Sequence, residues 1–505
     1  MSGQVDCDVA IVGAGLSGIC AAHHLTRDGA RRSVTLFEAR DGIGGTWDLF
    51  RYPGIRSDSD MATLGYGFRP WTSEKAIADG PAILSYVRDT ARDLGLNDKI
   101  RFRHRLVAAD WQGDVARWRL TFEMGDTGET VTQQVTCRWL YLCTGYYDYA
   151  RGHRPDIPGL DAFAGPVLHP QHWPEGFDPA GRRIVVVGSG ATAVTLVPEL
   201  ARSAAHVTML QRSPTHIVAM PSTDRVANGL RRVFGERRGH ALTRWKNILL
   251  TMGFYQASRR APGMIARLIR RAAARAAGSA VDPDLDLTPA YDPWDQRLCI
   301  VPDGDLFHAL RDGRAAIVTD RIDAVTARGG RTRSGRDIAA DAIVLATGLR
   351  LQVAGGATLS RDGVPIDIGR AFAYKGVMYS GVPNLSMALG YINASWTLKC
   401  ELIARYTRRL LDHMDEGGFD WAVPDAPPPD LPVRPTFELS SGYLERARDR
   451  IPRQTDRAPW RMLQNYIVDR RLLGAGTVTD AMTFGRAGAP VQNPERVLST
   501  PPLNA

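Results

Sequence analysis

Paired cysteines are scarce in this chain. Its six cysteines (Cys7, Cys20, Cys137, Cys143, Cys299 and Cys400) lie far apart, with no CxxC and no disulfide-framework spacing. That argues against a dithiol redox pair and against a stapled secreted scaffold. Several sit in apolar runs, as buried free thiols do, which suits a reducing cytoplasm. Uninterrupted apolar stretches of about 18 residues are also missing, which argues against a membrane-crossing helix. A strand-like run already occupies residues 9–12, leaving no room for a signal peptide. A cytoplasmic protein is the expectation. Acid is short of base, 54 residues against 63, and the formal charge of +9 comes mostly from arginine. With no basic tail and no recognised nucleic-acid module, no nucleic-acid partner is expected. Anionic ligands and a solvated basic surface account for the balance.

Glycine, by contrast, is plentiful and placed with a pattern. Across the 505 residues, two stretches, 9–38 and 184–212, read as strand, glycine turn, helix, strand. That is the opening of a parallel α/β sheet. In the first, Gly13-Ala-Gly15-Leu-Ser-Gly18 follows an apolar strand. Gly13 allows the tight turn, Gly15 lets a pyrophosphate approach the backbone, and Gly18 permits close helix–strand packing. The helix N-terminus adds free amides and a positive dipole end. Glu38 closes the next strand, where an acid binds ribose hydroxyls, so FAD is the expected ligand. In the second, Gly188-Ser189-Gly190-Ala191-Thr192-Ala193 has the accepted alanine at its third position, and its next strand ends in Gln211-Arg212-Ser213. A guanidinium there can pair bidentately with a 2′-phosphate that a carboxylate would repel, so NADPH is expected.

The fold class expected is α/β, with two Rossmann-like dinucleotide-binding domains and a helical insertion. Residues 1–150 form the first part of the FAD-binding domain. Residues 151–222 and 290–342 form the NADPH-binding domain, which 223–289 interrupts as a helical insertion. Residues 343–505 supply the second part of the FAD domain and a C-terminal extension. Prolines at 155 and 158 mark the crossover, and the proline-rich run 424–432 reads as a stiff loop.

Two fingerprints alone imply hydride transfer from NADPH to a flavin, which leaves an NADPH–quinone reductase open. Further motifs narrow this. Phe163-Ala-Gly165-Pro-Val-Leu-His169-Pro-Gln-His-Trp173-Pro174 resembles the FxGxxxHxxxW[P/D] fingerprint of type I Baeyer–Villiger monooxygenases. Their second signature is met by Gly44-Gly45-Thr46-Trp47, Tyr52-Pro53-Gly54 and Asp58. The likeness continues through Asn393-Ala-Ser-Trp396-Thr-Leu-Lys399 and Gln464-Asn-Tyr466. Stretches 44–60, 188–198 and 295–307 read nearly the same in a mycobacterial member of the family.

The resemblance implies that reduced flavin captures O2 as a C4a-peroxide and inserts one oxygen beside a ketone carbonyl, giving an ester or lactone. The family also contains enzymes that oxidise sulfur or nitrogen, so an S- or N-oxidising monooxygenase acting on thioethers, thioamides or amines is the alternative. A redox sensor or scaffold is a third reading. The small-molecule partners are therefore a ketone or thioether and O2; the oligomeric state is left open. By resemblance Arg297 is the catalytic cation and Asp58 its ion-pair partner. Gln296 stands where many members carry a lysine that grips the 2′-phosphate, so selectivity must lean on Arg212 and Ser213. Phe163, Gly165, His169 and Trp173 are expected to be architectural, coupling the nucleotide domains. His169 and His172 have metal-like spacing without further ligands, so no metal is expected.

The insertion is basic. In 264–277, Ile265, Leu268, Ile269 and Ala272 are expected to form one helical face, with Arg267, Arg270, Arg271 and Arg275 on the other. Such a helix can dock on its own protein or lie on an anionic membrane. Docking is the favoured expectation, with peripheral membrane association as the alternative.

Overall fold

A computed structural model describes residues 5–27, 32–125 and 131–491. The strand Cys7–Val12 is buried along nearly its whole length, as a central parallel strand must be. It pairs in parallel with Val34–Phe37 on one side and with Val131–Leu142 on the other. Leu385–Met387 adds a further parallel pairing to the end of Val131–Leu142, and Ile100–Arg101 extends the opposite side. The same long strand then turns antiparallel through Arg117–Met124 and Arg105–Gln112. One nine-stranded sheet therefore carries both a Rossmann half and an antiparallel flank. The helices Leu16–Thr26, Gly80–Asp93 and Trp396–Gly417 share one apolar core against it.

The second domain is a five-stranded, fully parallel sheet ordered Ala315–Thr319, His206–Gln211, Arg183–Val187, Ala342–Leu345 and Val167–Leu168. The strand Ala342–Leu345 pairs with Arg183–Val187, so this sheet runs past the expected boundary at residue 342. The chain leaves the first domain through Tyr147–Gly152 and returns through Leu349–Leu351. These two segments pair antiparallel, forming a two-stranded ribbon between the domains.

The insertion is helical as expected. Arg225–Arg260 is broken at Gly235, whose φ of +75° lies outside helical space, and Pro262–Ala277 follows. The expected face of the second helix needs correcting. Ile265, Ile269, Ala273 and Ala277 are the buried positions, whereas Leu268 is 53% exposed and Ala272 points outward. The buried set follows a strict i, i+4 ridge, and Ala273 and Ala277 join the core of the second domain. All six cysteines are buried and unpaired. Among the described residues no helix is long and apolar enough to cross a membrane.

Candidate functional site

The first fingerprint is built so that side chains would obstruct it. Gly13 has φ +108°, and a β-carbon there would stand 2.5 Å from the Cys143 carbonyl oxygen. At Gly18 it would stand 1.8 Å from the Gly13 oxygen, so the helix Leu16–Thr26 sits directly on the turn. Gly15 faces Gly45 backbone to backbone, 3.4 Å from a built β-carbon to Cα. Gly44 and Gly45 both have positive φ, 143° and 57°, and lead into the short helix Thr46–Leu49 that carries Thr46 and Trp47. Asp48 anchors that turn. Its buried carboxylate accepts hydrogen bonds from Arg40 at 2.8 Å and Arg88 at 3.0 Å. Sequence reasoning missed Asp48, because only the fold shows which arginines converge on it.

Glu38 is buried beside the turn. It accepts from the amides of Ala14 at 2.7 Å and Arg40 at 3.0 Å. Burial raises its pKa against the opposing pull of those amides. Glu38, Gly13, Gly15, Gly45, Thr46 and Trp47 line a cavity of about 480 Å³ together with Asp58, Arg297 and Trp396. Trp396 donates to Ser17 at 2.9 Å and stacks on Tyr146.

The second fingerprint opens a larger cavity of about 710 Å³. Gly188 repeats the first turn, with φ +138° and a β-carbon that would lie 2.3 Å from the Ala346 oxygen. Gly190 caps the helix Ala191–Leu200, and its β-carbon would meet nothing within 4 Å. Ser189 donates to the Ser213 carbonyl at 2.9 Å, tying the glycine turn to the end of the next strand. Gly188, Ser189, Gly190, Ala191, Thr192, Arg212, Ser213 and Gln296 all line this cavity. A residue not anticipated joins them. Arg446, from the C-terminal region, lies near enough to Arg212 that burial and the neighbouring guanidinium both lower its pKa. Two adjacent cations at one cavity wall form a ready anion site.

The cavities meet at shared residues, among them Asp58, Tyr146, Tyr147, Thr192 and Arg297. Arg297 donates to Asp58 at 3.0 Å and to the Tyr391 carbonyl at 3.4 Å. Burial works to lower its pKa, but Asp58 and the surrounding tyrosines outweigh that and raise it. The guanidinium is a fixed cation at the junction.

The linker residues lie away from that junction. Val167–Leu168 is the edge strand of the second sheet, and Phe163 packs in its core. A β-carbon at Gly165 would stand 2.4 Å from the Asp341 oxygen. His169 caps the turn Pro170–His172 and lies over Gly152 of the interdomain ribbon, where burial lowers its pKa. Gln171 donates to the Asp148 and Tyr149 carbonyls at 2.7 and 3.0 Å, and Trp173 packs edge-on against Phe177. No cluster of metal-ligating side chains forms among the described residues.

Residues 11–75 match the NAD(P)-binding Rossmann-like domain family, and residues 77–228 match the flavin-binding monooxygenase-like family. The FAD-containing monooxygenase EthA of Mycobacterium tuberculosis is 48% identical over 486 residues, 96% of this chain and 99% of that one. The chain belongs to the flavin-binding monooxygenase family. Another member, the probable FAD-binding monooxygenase AlmA of Acinetobacter baylyi, is 45% identical over 92% of this chain and 93% of that one. Two solved structures share the two-domain fold. A complex of OTEMO with FAD and NADP superposes with a TM-score of 0.74 at 19% identity, covering 96% of this chain and 100% of that one. Cyclohexanone monooxygenase bound to ε-caprolactone gives 0.71 at 22% identity, covering 95% and 99%. The family resemblance and the α/β architecture expected from sequence both stand.

Proposed function

We propose that this chain is an NADPH- and O2-dependent monooxygenase of the Baeyer–Villiger type, inserting one oxygen atom beside a ketone carbonyl to give an ester or lactone. The observation that carries this reading is the fixed Arg297–Asp58 pair where the two dinucleotide cavities join. The first cavity fits FAD. Its walls at Gly13, Gly15 and Gly45 are bare backbone that a β-carbon would fill, with Glu38 buried at the strand end to take ribose hydroxyls. The second fits NADPH, with Gly188, Ser189 and Gly190 at the turn and Arg212, Ser213 and Arg446 toward a 2′-phosphate.

Bound flavin supplies the oxygen-activating chemistry. The balanced reaction consumes ketone, NADPH, O2 and a proton, and releases ester, NADP+ and water. The protein's own contribution is electrostatic. Arg297 presents positive charge where negative charge grows on the oxygen of an attacked carbonyl, a role worth about 10²–10³ in rate. Asp58 orients the guanidinium and keeps it ionised. Tyr146, Tyr147 and Trp396 wall the junction with aromatic surface, limiting water that would divert the oxidant to hydrogen peroxide.

Purified yellow protein, assayed for NADPH consumption with phenylacetone, with a thioether and without substrate, tests the reading. Ester from phenylacetone supports it. Sulfoxide without ester assigns the chain to heteroatom oxidation. Hydrogen peroxide alone leaves only uncoupled oxidase activity, and no turnover favours a sensor.

A further inference from the structure

The inner and outer faces of the insertion differ sharply. Inward, the helix Arg225–Arg260 buries His240, Arg244, Ile248 and Ser258. Arg244 is bolted to the first domain, donating to the Gly65 carbonyl at 2.7 Å and to Glu401 at 2.9 Å. Outward, Leu242, Leu249 and Leu250 are 45%, 54% and 63% exposed. Seven- and eight-residue spacing puts them on one stripe opposite the anchored face. Ten of the fifteen large apolar side chains exposed among the described residues fall within 220–268, so this segment carries most of the exposed apolar bulk. Patches of this kind on a soluble domain mark an interaction surface.

Its charge is equally one-sided. Residues 225–277 carry thirteen Lys and Arg against one acid, Glu236. Lys246, Arg259 and Arg270 pair with Asp224, Asp295 and Asp284. The exposed Arg237, Arg238, Arg260, Arg271 and Arg275 have no carboxylate partner among the described residues.

We propose that this face binds an anionic lipid surface, with the leucines at the acyl boundary and the guanidiniums at the phosphates. Charge complementarity selects that occupant. A second copy docking through the same patch would set arginines against arginines, and a nucleic acid would leave the leucines without a role. Aliphatic and basic residues interleaved on exposed helices match a membrane interface.

Co-sedimentation of the full flavin-containing protein with phosphatidylcholine vesicles, with and without phosphatidylglycerol, tests this. Binding is expected only with phosphatidylglycerol, and added salt should release it. The double variant Leu249→Glu/Leu250→Glu should lose at least about tenfold in partitioning, since both side chains leave the lipid boundary. Arg271→Glu/Arg275→Glu should lose about fivefold or more per charge removed. Both variants alter exposed positions and should keep the parent's thermal unfolding temperature. Absence of binding to any vesicle at low salt overturns the proposal, as does undiminished binding by the leucine variant. A dimer seen by light scattering that the leucine variant dissolves would assign the face to a second copy instead.

Discussion

At Gly15 an added β-carbon would sit 3.4 Å from the Cα of Gly45, whereas at Gly190, the matching position of the other turn, it would meet nothing within 4 Å. The first glycines of the two turns are alike, each pressed against a carbonyl of the strand end beside it. The third positions differ again. Gly18 leaves no room for a methyl group, but its counterpart Ala193 carries one and is fully buried. Glu38 is only 5% exposed, while Arg212 is open to the cavity. One motif has thus been enclosed by a second glycine turn and left open in its other copy. That is the difference expected between a group held through many turnovers and a group that enters and leaves.

The largest effect should come from filling the enclosed turn. Gly18→Ala is expected to abolish flavin retention, read as the ratio of absorbance at the flavin band to protein absorbance. Gly190→Ala should keep full flavin content and raise the KM for NADPH. Loss of flavin from both variants, or from neither, would erase the contrast. At the junction, Arg297→Ala should retain flavin yet lower kcat for ketone oxidation by about 10²–10³.

At the open turn, Arg212→Ala should raise the KM for NADPH by about tenfold to hundredfold and leave that for NADH nearly unchanged, the range for losing hydrogen bonds to a charged group. Arg446→Ala should act in the same direction by about tenfold. Equal effects on both cofactors would remove the 2′-phosphate assignment.

A separate effect concerns acid stability of the enclosed half. His24, on the helix that follows the first turn, is buried with its pKa lowered to about 2, chiefly by burial. Its folded pKa lies below its unfolded value, so its neutral form is fully compatible with folding above about pH 6.5. Below that, stability should fall by about 1.4 kcal/mol per pH unit until the folded pKa is reached. His24→Leu should flatten this slope, as measured by denaturant unfolding between pH 7 and pH 5.

The two fingerprints were legible because strand, turn and helix fix the distance from glycine to the terminal acid or base. Glu38 and Arg212 could be read by counting. Arg297 could be reached only through family resemblance, since nothing local distinguishes it among so many arginines. Arg446 was invisible: it reaches Arg212 only because the chain returns through Leu349–Leu351 and folds its C-terminal region over the second cavity. Leu268 points outward because the docking ridge runs at i, i+4, narrower than the apolar arc that the sequence pattern suggests. The antiparallel flank of the first sheet carries no motif and was not anticipated.

The proposed role of the cation at the junction is to direct oxygen to a ketone. Its most direct test is product analysis with phenylacetone under isotopically labelled O2, comparing the parent with Arg297→Ala. The parent should give an ester carrying one labelled atom, while the variant consumes NADPH and yields almost none. Ester formed equally by both, or by neither while a thioether is oxidised by both, would contradict it.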